Sequence, residues 1–241
     1  MNTLVISIVL LVLLALLLFL WMRKTQAYNR QLEAKYLDLL KGCFEGSPAE
    51  SARLLRAAAL VEQGRVDRAE ALLDELSGKA QGEKERSAVL YFQAACLDAQ
   101  GKSAQALKLY RKSLENSEGF WAAYLNLAVN LSELGRIKES LEAFERALER
   151  WPHQPELKLD YALTLIRARQ AEQALSALNA LAQEAPDYPD LPGAMAACYA
   201  AMGQSAQSEE WIQKGIKAGQ NEQELRSEVR GFLSGSGSRE A

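Results

Sequence analysis

The stretch YLNLAVNLSELGRIKESLEAFERALERWP, residues 124–152, has the pattern of two helices separated by a break. Apolar residues recur three or four positions apart on both sides of the break, which places them on one helical face: Leu127, Leu131 and Leu134, then Leu141, Phe144 and Leu148. Gly135 lies at the break, where glycine allows the left-handed conformation that ends a helix. Pro152 closes the stretch, since proline cannot continue a helix interior. The stretch predicts a helical hairpin, and the fold depends on whether this hairpin is unique or repeated.

The hairpin recurs along the chain. Steps of 34 residues lead from Gly135 to Gly101 upstream and to Arg169 and Gly203 downstream, and Gly64 lies 37 residues before Gly101. Three sets of residues keep fixed distances from these five positions, and each set forms one column of the repeat. Seven residues before them stand Ala57, Ala94, Ala128, Ala162 and Ala196; five residues after stand Ala69, Ala106, Ser140, Ala174 and Ser208; nine residues after stand Leu73, Tyr110, Phe144, Leu178 and Ile212. Small residues let two helices approach closely, and the large ones fill the gap toward the next hairpin. The hairpin is therefore one copy of a repeated unit.

These columns resemble the tetratricopeptide repeat (TPR) family, whose motif W-x2-L-G-x2-Y, A-x3-F and P has a period of 34 residues. The copy at 121–154 matches it at Tyr124, Leu127, Ala128, Leu131, Ser140, Phe144, Ala147 and Pro152. Two departures are an alanine in place of the motif's glycine in all five copies and Arg169 in place of a turn glycine. The resemblance implies an all-α, right-handed helical solenoid of about five repeats over 47–222, near 50–86, 87–120, 121–154, 155–188 and 189–222.

Both ends of this array carry their own signals. SPAE at 47–50 reads as a capping box with proline at the first helical position. Asn221 reads as the N-cap of a C-terminal capping helix, 221–233, in which Leu225, Val229 and Phe232 share one face. Such a helix would shield the apolar face of the last repeat. The Gly/Ser-rich tail, 234–241, is predicted to be disordered.

The N-terminal region contains a predicted transmembrane helix. The 19 residues from Leu4 to Met22 contain one polar residue, Ser7, and would span roughly 28 Å as a helix. A cleaved signal peptide is the competing interpretation, but no charged side chain precedes the run and bulky, basic FLWMRK follows it. We therefore expect an uncleaved anchor.

Charge indicates the orientation of this anchor. Five Lys and Arg residues and two acidic ones lie between 23 and 41, whereas no Lys or Arg precedes the run. Basic flanks stay in the cytoplasm, so we expect a single-pass inner-membrane protein with its N-terminus outside and its repeats cytoplasmic. Residues 23–46 are predicted to form an amphipathic juxtamembrane helix carrying Tyr28, Leu32, Tyr36 and Leu39 or Leu40. This helix either continues the span or packs under the first repeat.

Nothing in the sequence points to catalysis. His153, the single histidine, lies in an inter-repeat loop, and neither metal-ligand spacings nor phosphate-binding glycine motifs occur. Cys43, Cys96 and Cys198 are far apart and odd in number, which is typical of small buried residues in a reducing compartment. The chain has a net charge of −3, and −6 outside residues 23–41, which disfavours nucleic acid. We expect no enzymatic activity and no cofactor.

The family resemblance implies a concave groove lined by the first helix of each repeat. The positions that correspond to this groove are Leu54, Tyr91, Phe92, Leu125, Asn126, Val129, Leu159, Asp160 and Leu163. Carboxylate-clamp TPR proteins carry Lys, Asn and Arg at such positions, and here only Asn126 matches. The aliphatic members have a second interpretation, which is packing between repeats. Tyr91 and Phe92 are the predicted ligand anchors.

These features predict a membrane-tethered adaptor or scaffold of bacterial type. Its partner would be a protein or peptide segment with apolar anchors and a few basic residues, bound to an apolar floor with an acidic edge. Two alternatives remain open: a structural subunit of an envelope, secretion or division machine, and a periplasmic repeat protein with inverted topology.

Overall fold

The computed structural model describes residues 36, 39–116 and 121–234. The predicted span at 4–22, most of the juxtamembrane segment and the tail from 235 lie outside the described residues. Within the described residues, no helix is both long enough and apolar enough to cross a bilayer.

The described part of the chain is all-α, with eleven helices and no strand. The helices are α1 (Pro48–Glu62), α2 (Val66–Ser77), α3 (Glu83–Ala99), α4 (Ser103–Asn116), α5 (Trp121–Glu133), α6 (Ile137–Arg150), α7 (Pro155–Arg167), α8 (Ala171–Glu184), α9 (Leu191–Ala201), α10 (Ser205–Lys217) and α11 (Glu222–Ser234). Pro152 and Pro186 each lie two residues beyond a helix end, as expected from the loss of the backbone N–H.

The chain divides into two units, Met1–Lys102 and Ser103–Ala241. In the first unit, α1 and α2 form a hairpin and α3 packs against both. In the second unit, α5–α6, α7–α8 and α9–α10 are hairpins. The first helices of successive hairpins also touch, α5 against α7 and α7 against α9. This stacking is the helical repeat arrangement that the sequence columns predicted.

Every turn in the glycine column has the same backbone geometry. Gly64, Gly101, Gly135 and Gly203 have φ between 66° and 74°, and Arg169 has φ of 60°. The residue after each turn donates its N–H to a carbonyl five positions earlier, as Arg136 does to Leu131 at 2.8 Å and Gln170 to Leu165 at 2.9 Å. This bond satisfies a carbonyl that would otherwise be left without a partner at the helix end. The predicted turn column is confirmed, including its arginine.

The two columns of small residues meet inside the hairpins. Ala128 is fully buried, and the Ser140 hydroxyl donates to its carbonyl oxygen at 2.6 Å. The Ser208 hydroxyl does the same to Ala196 at 2.9 Å. In both hairpins the serine lies 12 residues after the alanine, so the hydrogen bond follows from the phase of the columns. Small side chains are needed here because the helix backbones lie close enough for this contact.

The C-terminal helix α11 packs against α7, α9 and α10. The predicted N-cap is confirmed: Asn221 Oδ1 accepts the N–H groups of Gln223 at 2.9 Å and Glu224 at 3.1 Å. Leu225, Val229 and Phe232 are buried, as their common face predicted. Leu225 fits beside two glycines: a Cβ at Gly193 would lie 3.1 Å from it, and one at Gly215 only 2.7 Å.

The N-terminus of α1 differs from the predicted capping box. The helix begins at Pro48, but Ser47 makes no side-chain cap, and the Glu50 carboxylate instead pairs with Lys79 at 2.9 Å. The reach of Glu50 toward Lys79 takes it away from the Ser47 backbone. A carboxylate does cap the start of α3, where Glu85 Oε2 accepts the N–H groups of Gly82 at 3.0 Å and Gln81 at 2.9 Å. These bonds lower the pKa of Glu85.

The three cysteines are buried and unpaired with one another, as the sequence predicted. Burial raises the pKa of Cys43 to about 11, that of Cys96 to about 12 and that of Cys198 to about 11. Thiols in such surroundings stay protonated at neutral pH and are poor nucleophiles. Their role in this fold is packing.

Candidate protein-binding surface

A cavity of about 200 Å³ opens between α5, α7 and α11 in the second unit. We call it the α5/α7/α11 pocket. Its lining consists of Leu125, Asn126, Val129, Ser132, Glu133, Asp160, Leu163, Thr164, Arg167 and Phe232. The pocket thus brings together five of the nine predicted groove residues, from the first helices of two successive repeats. Helical spacing explains this: positions three or four apart on one helix share a face.

The floor of the pocket is apolar and its polar groups are held in place. Leu125 and Val129 on α5 are half-buried, and Leu163 on α7 is buried. Asn126 Nδ2 donates to the Tyr110 hydroxyl at 3.2 Å, which orients the amide. Ordered polar groups around an apolar floor are typical of a binding site, since they fix the orientation of what enters.

Charge at the pocket is mixed, with two carboxylates and one guanidinium. Asp160 is buried, Glu133 is exposed at the rim, and Arg167 is half-buried. Arg167 Nη1 donates to the Ser132 hydroxyl at 3.1 Å, a bond that joins α7 to α5 across the pocket. The acidic edge predicted from the sequence is therefore accompanied by a basic residue that the sequence reasoning did not include.

Phe232 is another residue that sequence reasoning did not assign to the site, as are Ser132 and Thr164. It belongs to the apolar face of α11, so its burial was predicted, but its position beside Leu163 and Asp160 was not. The contact depends on where α11 folds back, and helical periodicity carries no information on that. The capping helix therefore supplies one wall of the pocket.

Leu159 is not part of the pocket surface. It is fully buried in the core of the second unit, in one cluster with Leu163, Ala162 and Leu178. The alternative interpretation of the aliphatic positions, packing between repeats, holds for this residue. A large side chain at a helix–helix contact is removed from water by the neighbouring helix, whichever row of the motif it occupies.

The three predicted groove residues of the first unit are also covered. Leu54 is 0% exposed, Phe92 1% and Tyr91 7%. The ring of Tyr36 packs edge-on against Phe92 at a centroid distance of 5.5 Å, and Phe92 packs against Tyr91 at 4.8 Å. The expectation that Tyr91 and Phe92 stand open to a ligand is thus wrong for this structure. The physical reason is that Tyr36 packs on Phe92, which in turn packs on Tyr91, and that Leu40 and Cys43 lie beside Leu54.

A larger cleft of about 420 Å³ lies elsewhere in the second unit, between α4, α5 and α6. Leu127, Leu131 and Ala143 form its buried floor. Its rim carries Glu115, Glu142 and Arg146, together with Arg111 and Glu139, which are paired at 3.1 Å. No predicted groove residue lines this cleft. Its ion pairs are exposed, and such pairs contribute little to stability.

Groups capable of acid–base chemistry show no catalytic arrangement in the described residues. His153 is 85% exposed, and its Nδ1 lies 3.5 Å from Glu184, which also pairs with Lys158 at 2.5 Å. These two contacts lower the pKa of Glu184. In the part of the chain that the structure describes, no cluster of His, Cys, Asp and Glu has the geometry of a metal site.

Comparison with protein families agrees with this architecture. Tetratricopeptide repeat models match residues 54–119, 131–190 and 165–227, which is more than half of the chain. The chain therefore belongs to the tetratricopeptide repeat family. A search of curated proteins finds no match.

Solved structures with the same fold are distant in sequence. TTC0263, a thermophilic TPR protein of Thermus thermophilus, is 20% identical with a TM-score of 0.62, covering 77% of this chain and 100% of its own. YrrB, described as a TPR protein with an unusual peptide-binding site, is 18% identical with a TM-score of 0.56, covering 73% and 89%. MamA of AMB-1 is 13% identical with a TM-score of 0.52, covering 70% and 98%. At these identities the likeness extends to the fold alone.

Proposed function

We propose that this chain is a membrane-tethered scaffold that binds a partner protein through the α5/α7/α11 pocket. The main support for the proposal is that five of the predicted groove residues line one cavity. These residues are Leu125, Asn126, Val129, Asp160 and Leu163. Family membership supports a binding role, because repeat arrays of this kind present surfaces for protein partners. YrrB, which shares the fold, is described as having a peptide-binding site.

The size of the pocket defines what the partner inserts. At about 200 Å³ it is smaller than the roughly 300–1,000 Å³ of small-molecule sites. It suits one aliphatic side chain of a partner segment, which would contact Leu125, Val129 and Leu163. A Lys or Arg near this anchor would face Glu133 at the rim and Asp160 deeper in. Apolar burial would provide most of the affinity, and charge would orient the encounter.

Photo-crosslinking tests this site directly. A photoreactive amino acid at Asn126, which lines the pocket, should give a discrete adduct with the partner. The same group at Glu149, which is exposed on α6, should not. The substitution Val129→Arg would fill the pocket and should weaken capture by about 2 kcal/mol, or about thirtyfold.

Leu134 provides the matched control. It is 44% exposed and lies outside the pocket, so Leu134→Arg introduces the same charge on the same stretch of chain without blocking the site. Both variants should keep the helical content of the unmodified protein. Equal adducts from Asn126 and Glu149, or equal losses of capture in Val129→Arg and Leu134→Arg, would exclude the pocket as the site.

The membrane part of the proposal is supported by the apolar run Leu4–Met22 and by the basic residues that follow it. A 19-residue run matches the thickness of the hydrocarbon core, and the charge asymmetry favours a cytoplasmic location for the repeats. The anchor's role is to hold the binding unit at the membrane surface.

A structural subunit of a larger membrane assembly is the second candidate. The cleft between α4, α5 and α6 favours it, because a second lined surface of about 420 Å³ allows contacts on more than one side of the unit. A complex that stays stoichiometric in mild detergent and high salt would support this candidate. A partner released by salt or by a competing peptide would support the scaffold.

A further inference from the structure

Tyr36 contacts the first helices of the first two repeats. Its hydroxyl donates to Glu62 Oε1 at the end of α1, and its ring packs against Phe92 on α3 at an interplanar angle of 75°. Tyr36 is only 7% exposed. These contacts place an aromatic side chain of the N-terminal segment on the residues that the family resemblance assigns to the groove.

The residues after Tyr36 extend the contact along α1 in the antiparallel direction. Leu40 and Cys43 share with Leu54 and Leu55 the lining of a cavity of about 370 Å³. Further along, the Ser51 hydroxyl donates to the Cys43 carbonyl at 2.7 Å. Partners of Tyr36, Leu40 and Cys43 therefore lie progressively closer to the beginning of α1. Apolar side chains of one segment laid against a helix face are a common way in which proteins recognise a peptide.

Hydrogen bonds to α3 hold the end of this segment. Glu85 Oε1 accepts the N–H of Phe44 at 3.1 Å, and Lys84 Nζ donates to the Lys41 carbonyl. Gly42 and Phe44 both have positive φ, 86° and 56°. The chain thus turns sharply just before α1, and the bend returns the preceding residues over the groove.

The chemistry of the contact is that of a recognition site. An aromatic ring between aromatic neighbours gains packing energy, while a phenol hydroxyl bound to a carboxylate adds a directional, charge-assisted bond. An aliphatic side chain would fill the same space without requiring a polar partner. The pair of Tyr36 with Glu62 selects tyrosine over other apolar residues, which is a requirement of specificity.

We propose that the groove of the first unit is a binding site for a segment bearing a tyrosine and an aliphatic residue, and that Tyr36 and Leu40 of this chain occupy it as an intramolecular ligand. An external segment of the same chemistry, with an aromatic hydroxyl for Glu62 and an aliphatic residue for Leu54, would bind when the internal one is displaced. This site is separate from the α5/α7/α11 pocket, and either can fail its test without affecting the other.

A fluorescent peptide of residues 30–41, RQLEAKYLDLLK, tests the proposal on the full chain in detergent. A tethered ligand has an effective concentration near the millimolar range, so it competes strongly with peptide from solution. Peptide affinity should therefore be at least about tenfold higher for the Tyr36→Ala protein than for the unmodified one. A peptide carrying Phe in place of Tyr36 should bind the Tyr36→Ala protein several-fold more weakly, because Glu62 loses its donor.

Two results would overturn the proposal. One is equal peptide affinity for the unmodified and Tyr36→Ala proteins, and the other is absence of binding to a Tyr36→Ala protein whose helical content is intact. Hydrogen exchange on the unmodified chain gives a test that needs no variant. Excess peptide should reduce the protection of amides in residues 39–46, and unchanged protection at saturating peptide would mean that the contact is a permanent part of the core.

Discussion

Arg169 adopts the left-handed backbone conformation that glycine occupies at the equivalent turns. Its φ is 60°, and the next residue, Gln170, still donates to the Leu165 carbonyl at 2.9 Å. The stacking of hairpins therefore imposes the turn geometry even on a residue with a Cβ. For a non-glycine residue this conformation costs roughly 1–2 kcal/mol, because the Cβ approaches the following carbonyl oxygen.

Arg169→Gly should stabilise the second unit. Relief of the backbone strain is partly offset by the greater conformational entropy of glycine in the unfolded chain, so the free energy of unfolding should rise by about 0.5–1 kcal/mol. Urea unfolding followed by circular dichroism measures this free energy. Gly135→Ala is the reciprocal control. A Cβ there meets no atom within 4 Å, so the expected loss of about 1 kcal/mol in stability comes from backbone strain alone. A lower midpoint for Arg169→Gly would show that the arginine side chain makes a stabilising contact.

Ala128→Leu should destabilise the same unit. Ala128 is fully buried where the Ser140 hydroxyl reaches its carbonyl, so the larger side chain forces the two helices apart at a cost of about 1–3 kcal/mol. The loss should spread to the neighbouring hairpins, because each repeat is stabilised by its neighbours. Glu149→Leu adds a leucine at an exposed position of α6 and should leave the melting temperature nearly unchanged. Equal melting temperatures for the two variants would contradict the assigned phase of the repeat.

The last helix is joined to the repeats through a tight contact at two glycines. Gly193 on α9 and Gly215 on α10 leave room for Leu225 of α11, and Arg226 adds an ion pair to Glu209 on α10 at 2.7 Å. The hydrogen bond from Arg226 is the main cause that lowers the pKa of Glu209 to about 2. The exposed ion pair with Glu209 contributes little to stability and mainly orients α11. Burial of the apolar face of α11 supplies most of the free energy that keeps this helix in place.

Gly215→Ala tests this contact, because we expect it to lower stability where such a substitution usually raises it. Glycine to alanine in a helix interior normally stabilises by about 1 kcal/mol. Here the new Cβ would overlap Gln220 Oε1, at the end of a side chain that can turn away, and would lie 2.7 Å from Leu225 Cδ2 and 3.2 Å from Pro192 Cβ, so a net loss of about 1–3 kcal/mol is expected. In a Leu225→Ala background the same change should destabilise clearly less, because only the contacts with Gln220 and Pro192 remain. A double-mutant cycle of thermal melts without coupling between positions 215 and 225 would show that α11 packs differently.

Local features of these elements could be predicted from the sequence, and contacts between distant segments could not. The turns at Gly135 and Arg169 and the cap at Asn221 follow from backbone chemistry within a few residues. The position of Phe232 in the α5/α7/α11 pocket depends on how a whole helix folds back. Packing of Tyr36 under the first repeat was one of two open alternatives, but its contact with Phe92 could not be predicted, because the two segments share no periodicity. The predicted cap at Ser47 failed because Glu50 pairs with Lys79, a residue of the turn that follows α2.

At the scale of the whole molecule, the two units differ in what covers their groove positions. In the first unit Tyr36 packs on Phe92 and Leu40 and Cys43 lie beside Leu54, whereas in the second the pocket keeps half-buried residues such as Val129.

The orientation of the proposed membrane anchor provides the last prediction. The segment 23–41 carries a charge of +3 and the rest of the chain −6, so the basic flank lies on the side of the repeats. Basic flanking residues are retained in the cytoplasm. A reporter enzyme active only outside the cytoplasm, fused to the C-terminus, should therefore be inactive, and a cytoplasm-active reporter at the same position should be active. Replacing Arg23, Lys24 and Arg30 with glutamine and adding three lysines before Leu4 should invert both readouts. Activity of the external reporter on the unmodified chain would place the repeats on the opposite side of the membrane and favour the inverted topology.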